Sequence, residues 1–278
     1  MILFEPNRTE YDIKWRMFGI PIRVHPMFWF MGVVTGWSWM QDGFEYVAIW
    51  IACVFVSVLI HEMGHVFMGR LFGADGSIVL YGFGGLAIGS NALEHRWQRI
   101  AVSFAGPLAG FLYLAVLAVG ILAFAPEQFD FLMDKLQSML GLPVRNEFLF
   151  HKPSLTEAII ELLVFINLLW GLMNLLPIWP LDGGQISREV AIGFDRRNGE
   201  RVALGISGVV AGLIAIHGLT LRFGRPLVPI LTNVNGAFLA IMFGLLAIGS
   251  FQALQQLNQR PWREDYPSRW DRDDDWRR

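Results

Sequence analysis

The sequence predicts a membrane-embedded bundle of about six transmembrane helices carrying a small membrane-associated β-sheet, and three observations lead there. Hydrophobic residues make up 54% of the 278, charged residues only 17%, and mean hydropathy is +0.44; a soluble domain of this size carries nearer a quarter charged residues. Apolar runs of about 20 residues, the length that crosses a bilayer, recur along the chain. Between them lie short segments with strand and turn chemistry. The 11 tryptophans and 22 phenylalanines suit membrane–water boundaries. A net charge of -2 carries no footprint of a nucleic-acid partner. The single cysteine, Cys53, excludes an internal disulfide and reads as a packing residue in an apolar run.

Six candidate spans follow, at roughly 26–41, 45–69, 99–125, 157–177, 201–221 and 227–250. The first is short and interrupted by Gly32 and Gly36. The third contains SFAGPLAGF, whose Gly106 and Gly110 let backbones approach closely, while neighbouring helices re-satisfy groups freed by Pro107. The 25 residues before the first span have no apolar core, so that span is expected to direct insertion. With six spans, seventeen lysines and arginines fall on the amino-terminal side and five on the other. The positive-inside bias then places both termini in the cytosol.

Between the spans, residues 13–24, IKWRMFGIPIRV, read as an edge strand because they contain Pro21. Residues 76–90 read as a hairpin, with glycines available for turn and bulge positions. Residues 129–140 align Phe129, Leu132, Met133, Leu136, Met139 and Leu140 on one face, as in a helix on the outer membrane surface or a packing connector. Residues 1–250 are expected to form one membrane-embedded domain, and 251–278 a polar cytosolic tail.

The second span holds the chemistry. In VLIHEMGHVFMG, His61 and His65 are four apart, project from one helical face about 40° apart, and can share one metal ion. Glu62 beside them can accept the proton of a water that zinc has acidified. Two histidines and a glutamate amid apolar sequence cost a few kcal/mol or more if unpaired. A catalytic zinc needs a third protein ligand, and NLLWGLMNLLPIWPLDGGQ at the end of the fourth span offers Asp182. Pro177 and Pro180 stop or unwind that helix, and Gly183 and Gly184 permit tight backbone approach. The second and fourth spans run in the same direction, so the histidines and Asp182 reach one depth near the cytosolic face.

These segments resemble the site-2 protease family of intramembrane zinc metalloproteases. The likeness rests on HEMGH at 61–65, GFGG at 82–85, AGPLAG at 105–110, NLLPIWPLDGG at 174–184 and FGIPIRVHP at 18–26. It covers about residues 15–190; beyond them only further helices match. The resemblance implies one zinc on His61, His65 and Asp182, with Glu62 as general base and acid. It implies that Asn174 binds the substrate carbonyl or oxyanion, and Asn167, seven residues earlier, shares nearly the same face. The family usually has an asparagine where Gly110 stands. It also implies that 80–88, with Gly84 and Gly85, pairs with an unwound substrate strand by β-augmentation.

The expected activity is therefore peptide hydrolysis in or near transmembrane segments of single-span membrane proteins or membrane-anchored peptides. The expected setting is a multi-pass protein of a bacterial inner membrane, with the site towards the cytosol. The competing reading is a non-proteolytic zinc-binding membrane or transport protein. Glu62 argues against that, because a structural metal site has no need of a proton shuttle. Nor do the other spans carry the strings of acidic or histidine residues expected of an ion pathway.

Overall fold

Among the described residues, five helices are long and apolar enough to cross a membrane. The computed structural model describes residues 6–82, 84–139, 154–225, 227 and 235–259. In chain order the elements are β1 (Ile13–Met17), β2 (Ile20–Val24), α1 (Pro26–Thr35), a 3-10 turn (Trp37–Gln41) and α2 (Phe44–Leu71). There follow β3 (Ser77–Tyr81), β4 (Gly84–Ile88), α3 (Arg96–Phe124) and α4 (Phe129–Met139). The remainder is α5 (Leu155–Val164), a π-helical segment (Phe165–Trp170), α6 (Gly171–Asn174), α7 (Asp182–Phe194), α8 (Gly199–Arg222) and α9 (Gly236–Gln259). The spans are α2, α3, the stretch Leu155–Asn174, α8 and α9.

The sheet has four strands in the order β1-β2-β3-β4, with β2 and β3 parallel and the outer pairs antiparallel. Where one edge strand was expected over 13–24, the chain folds into a hairpin turned by Phe18 and Gly19, both at positive φ. Pro21 therefore stands in an inner strand. It costs no bond towards β3, because that pairing begins at Ile22. One face of the sheet joins the helices: Ile20, Ile22, Val24, Ile78 and Leu80 pack with Phe28, Val58, Leu59, Met63 and Val66. Arg70, in the last turn of α2, donates to the carbonyls of Phe18 and Gly19 at 2.8 and 2.9 Å. This ties the sheet to the α2 end that carries the histidines.

The first expected span is corrected. Residues 26–41 form a ten-residue helix and a 3-10 turn in place of one long helix, since Gly36 breaks the run. The last span begins at Gly236, not 227, where Asn235 caps it by accepting from the amides of Ala237 and Phe238 at 3.0 and 3.2 Å. It also runs on to Gln259 through good helix formers that composition alone assigns to a tail. Helix α4 packs inward: Phe131 and Leu132 lie in a cluster with Leu114, Ile121, Ile160 and Val164, and Lys135 pairs with Glu161 at 3.1 Å. Of the face expected there, Leu140 lies outside the described residues, as do 260–278 of the tail.

Helix α7 is an addition that the sequence reading passed over, because DGGQ looks like a turn. A buried ion pair fixes it to α3, with Arg99 donating to Glu189 at 2.8 Å and to the carbonyls of Leu93 and Glu94 at 2.8 Å each. Removing one member of such a pair strands a charge in a low-dielectric setting. Glu189→Ala should therefore cost about 3 kcal/mol, read as a fall of several degrees in melting temperature in detergent. An unchanged melting curve would show that the pair does not hold α7.

Candidate metal centre and active site

Helix α2 is apolar all round, so its polar residues stand out by burial: His61, Glu62 and His65 are each less than 8% exposed. One turn separates the two histidines, and their rings meet edge to face with centroids 4.8 Å apart. Asp182, the first residue of α7, is brought against them from 121 residues away. Its Oδ2 lies 3.1 Å from His61 Nε2 and its Oδ1 3.4 Å from His65 Nε2. The two Nε2 atoms are 3.2 Å apart.

These distances test the site as a metal centre. Ligands about 2.0–2.1 Å from a tetrahedral zinc stand about 3.3 Å from one another, and the three ligand separations bracket that value. His65 Nδ1 lies 2.7 Å from the Val102 carbonyl. A carbonyl only accepts, so Nδ1 carries the hydrogen, and a neutral His65 turns the Nε2 lone pair towards Asp182. A lone pair facing a carboxylate is repulsive unless a cation lies between them. The Val102 bond also fixes the ring, as partners behind metal-binding histidines do. The donor set therefore fits one zinc ion.

Glycines make the room. Gly106 of α3 faces the triad: a Cβ there would collide with His65 Nε2 and come within 2.8 Å of His61 Nε2. Gly64 lets α3 approach α2, since a Cβ would strike the Ala105 carbonyl. Gly85 of β4 packs on Glu62, where a Cβ would collide with Cγ and lie 2.6 Å from Cδ. At the third ligand, a Cβ on Gly183 would meet the Leu175 and Leu176 backbone, and one on Gly184 the Ile178 carbonyl. The Pro177–Leu181 break can fold tightly over the start of α7 for that reason. Asp182 thus opens a helix, and the unwound backbone is confined to the residues before it.

The other expected site residues are placed as follows. Asn174 is buried and donates to the Trp170 carbonyl at 3.1 Å. Asn167, within the π-helical segment, donates to Ser57 Oγ at 2.9 Å and to the Leu163 carbonyl at 2.8 Å, joining this span to α2. Its Oδ1 lies 3.4 Å from where a Cβ on Gly110 would be, so Asn167 stands beside the position at which the resemblance leads one to expect an asparagine. Gly84 holds φ +124°, and β4 is an edge of the sheet beside Glu62. Tyr81 was not foreseen. Burial, and next the charge of Glu62, push its phenol up to about 12, so it remains protonated at neutral pH; a lone tyrosine in a strand carries no spacing signal.

A bundle of apolar helices that buries two histidines and two carboxylates about one point is a membrane protein with an enzyme-type metal site. The sequence profile of Peptidase family M50 matches residues 49–216, and the chain belongs to that family. It is 28% identical over 214 residues to a zinc metalloprotease of Methanocaldococcus jannaschii, a match covering 76% of this chain and 55% of the relative. It is 33% identical over 189 residues to a Synechocystis protein bearing the provisional name of a zinc metalloprotease, covering 63% and 42%. The chain thus spans about half the length of these curated relatives. The solved site-2 protease from M. jannaschii shares the fold, with a TM-score of 0.50, 23% identity and coverage of 92% of this chain and 99% of that one. The protein is accordingly a multi-pass membrane protein.

Gly106→Ala should abolish stoichiometric metal retention after purification. Gly120→Ala in the same helix, where a Cβ meets nothing within 4 Å, should leave it intact. Equal metal content in the two variants would remove Gly106 from the lining of the site.

Proposed function

We propose that the chain is an intramembrane endopeptidase in which His61, His65 and Asp182 hold one zinc ion and Glu62 carries the protons. The observation behind this is the convergence of the three ligand atoms around one point, with a buried carboxylate adjoining them inside an apolar helix. Zinc bound by this set would supply Lewis acidity and lower the pKa of water there to about 7. Glu62 takes the proton of the attacking water and delivers it to the leaving amide nitrogen. Asn174 spends one amide hydrogen on Trp170, and its second is available for the oxygen of the scissile carbonyl as negative charge develops there. Asn167, with its amide hydrogens committed to Ser57 and Leu163, we assign to holding the helices rather than substrate.

The substrates we propose are single-span or membrane-anchored proteins. A helical peptide has its backbone groups paired and its scissile carbonyl shielded, so it must unwind before attack. The outer edge of β4 can then pair with it. Gly84 and Gly85 divide the work on this reading: Gly84 supplies a backbone conformation that other residues resist, and Gly85 leaves room for Glu62.

We place both termini in the cytosol of a bacterial inner membrane, with the site near that face. Residues 26–43 support this orientation. They run from the sheet, bonded at the Arg70 end of α2, to the opposite end of α2 at Phe44, so the chain crosses α2's depth in two pieces. We propose that residues 1–250 act as one protease unit, with α9 continuing to Gln259.

In detergent, Glu62→Gln should retain one zinc per chain and lose cleavage of single-span substrates by at least about 10³-fold, while Asp182→Ala should lose both. Cleavage by Glu62→Gln at a wild-type rate would exclude proteolysis through this site. Gly84→Val should stop cleavage and keep the zinc; full activity in that variant would argue against strand pairing at β4.

A further inference from the structure

The last two helices have no part in the site as described, yet a buried polar chain leads from them to the loop that presents Asp182. The Trp179 amide donates to Ser207 Oγ of α8 at 2.7 Å. Ser207 Oγ lies 2.7 Å from Ser250 Oγ of α9. Ser250 Oγ in turn donates to the Leu246 carbonyl at 2.9 Å and lies 3.5 Å from the Trp179 carbonyl. Ser207 and Ser250 are 1% and 0% exposed.

The direction of this chain follows from counting hydrogens. Each hydroxyl has one hydrogen to give. That of Ser250 goes to a carbonyl, which cannot donate in return, so Ser207 must donate to Ser250. This leaves the Ser207 oxygen to accept from Trp179. The arrangement has one consistent sense, from the loop through α8 into α9.

Within the loop itself, backbone hydrogen bonds are short-range. It lies between Pro177 and Leu181, outside any helix, and its own bonds are the short turns Ile178 N to Leu176 O at 2.7 Å and Leu181 N to Ile178 O at 2.8 Å. Ile178 is fully buried and packs against Ala211 of α8 and Leu239 and Phe243 of α9. Helices α8 and α9 form a stiff platform, since Gly218 and Gly236 approach so closely that a Cβ on Gly218 would lie 2.8 Å from the Gly236 carbonyl. Trp179 is three residues before Asp182, and the α7 ladder begins at the end of the same loop, where Gln185 N donates to Leu181 O at 3.0 Å.

We infer that Ser207 and Ser250 are positioning residues for the metal centre: through Trp179 they set where the α7 amino terminus places the Asp182 carboxylate. The inference rests on the metal-binding role proposed for His61, His65 and Asp182. Without Ser207, a buried amide loses its acceptor and the loop can shift. Partners behind metal ligands typically change affinity by about 10–100-fold when removed.

The full chain in detergent provides the test, with zinc affinity measured by chelator competition and geometry by the ligand-field spectrum of the cobalt form. Ser207→Ala should bind zinc about tenfold more weakly and alter the cobalt spectrum. Ser250→Ala, one step further away, should do both to a lesser degree, and it carries the test if Ser207→Ala does not fold. Ile121→Ala, which opens a cavity in the separate cluster around Leu114, should lower the melting temperature and leave affinity and spectrum at wild type. Serine variants that melt lower but keep the wild-type affinity and spectrum would overturn the inference, showing that the serines only fasten the hairpin. A folded wild-type chain that takes up no zinc would remove the metal centre itself and the inference with it.

Discussion

Everything in this structure is arranged around one energetic problem: several ionisable groups sit where water is scarce. Transferring an uncompensated charge into such surroundings costs several kcal/mol. His61, His65, Glu62 and Asp182 lower that cost by being held together, three of them in an arrangement that fits a shared cation. The requirement dictates close contacts among elements remote in sequence. It accounts for the glycines at positions 64, 85, 106, 183 and 184, each of which removes a methyl group that would push a ligand or its supporting backbone away.

The sheet and the bundle divide the labour. Helix α2 supplies the two histidines and the carboxylate of Glu62 on one frame, and Val102 of α3 fixes one ring. The sheet is bonded to the end of α2 through Arg70 and lays β4 over Glu62. Its β4 strand forms an edge of the sheet beside Glu62. A site of this kind needs a rigid floor and an open edge, and here they come from different secondary structures.

Asp182 is held differently from the two histidines. Asp182 begins a helix, but its position is set by the unwound residues before it, and such backbone is tolerated at membrane depth only when protein partners satisfy it. Ile178 fills a pocket between α8 and α9, Trp179 bonds to Ser207, and the Arg99–Glu189 pair secures the body of α7 to α3. The carboxyl-terminal helices thereby gain a structural connection to the loop that precedes Asp182.

How much of this is legible without coordinates depends on the range of each interaction. The histidine pair and its glutamate are local: helical periodicity alone puts His61 and His65 on one face, and apolar surroundings make the cost of burying them visible. The proline and glycine flanks of Asp182 are also local. The break at Gly36 and the Asn235 cap of α9 are local as well, whereas the hairpin at Phe18 and Gly19 and the helix after Asp182 were decided by tertiary packing. There, propensities are too weak to compete with neighbours. The same holds for Tyr81 beside Glu62, for the use of Asn167 to bond Ser57 and for the serine chain under Trp179. A hydrogen bond between residues 28 and 71 positions apart leaves no periodic trace. Residue types and their local spacing therefore determined which chemistry the chain can perform. The meeting of α2, α7 and the α8–α9 hairpin decided where that chemistry is held, because long-range contact is a property of the folded packing and not of any stretch of sequence.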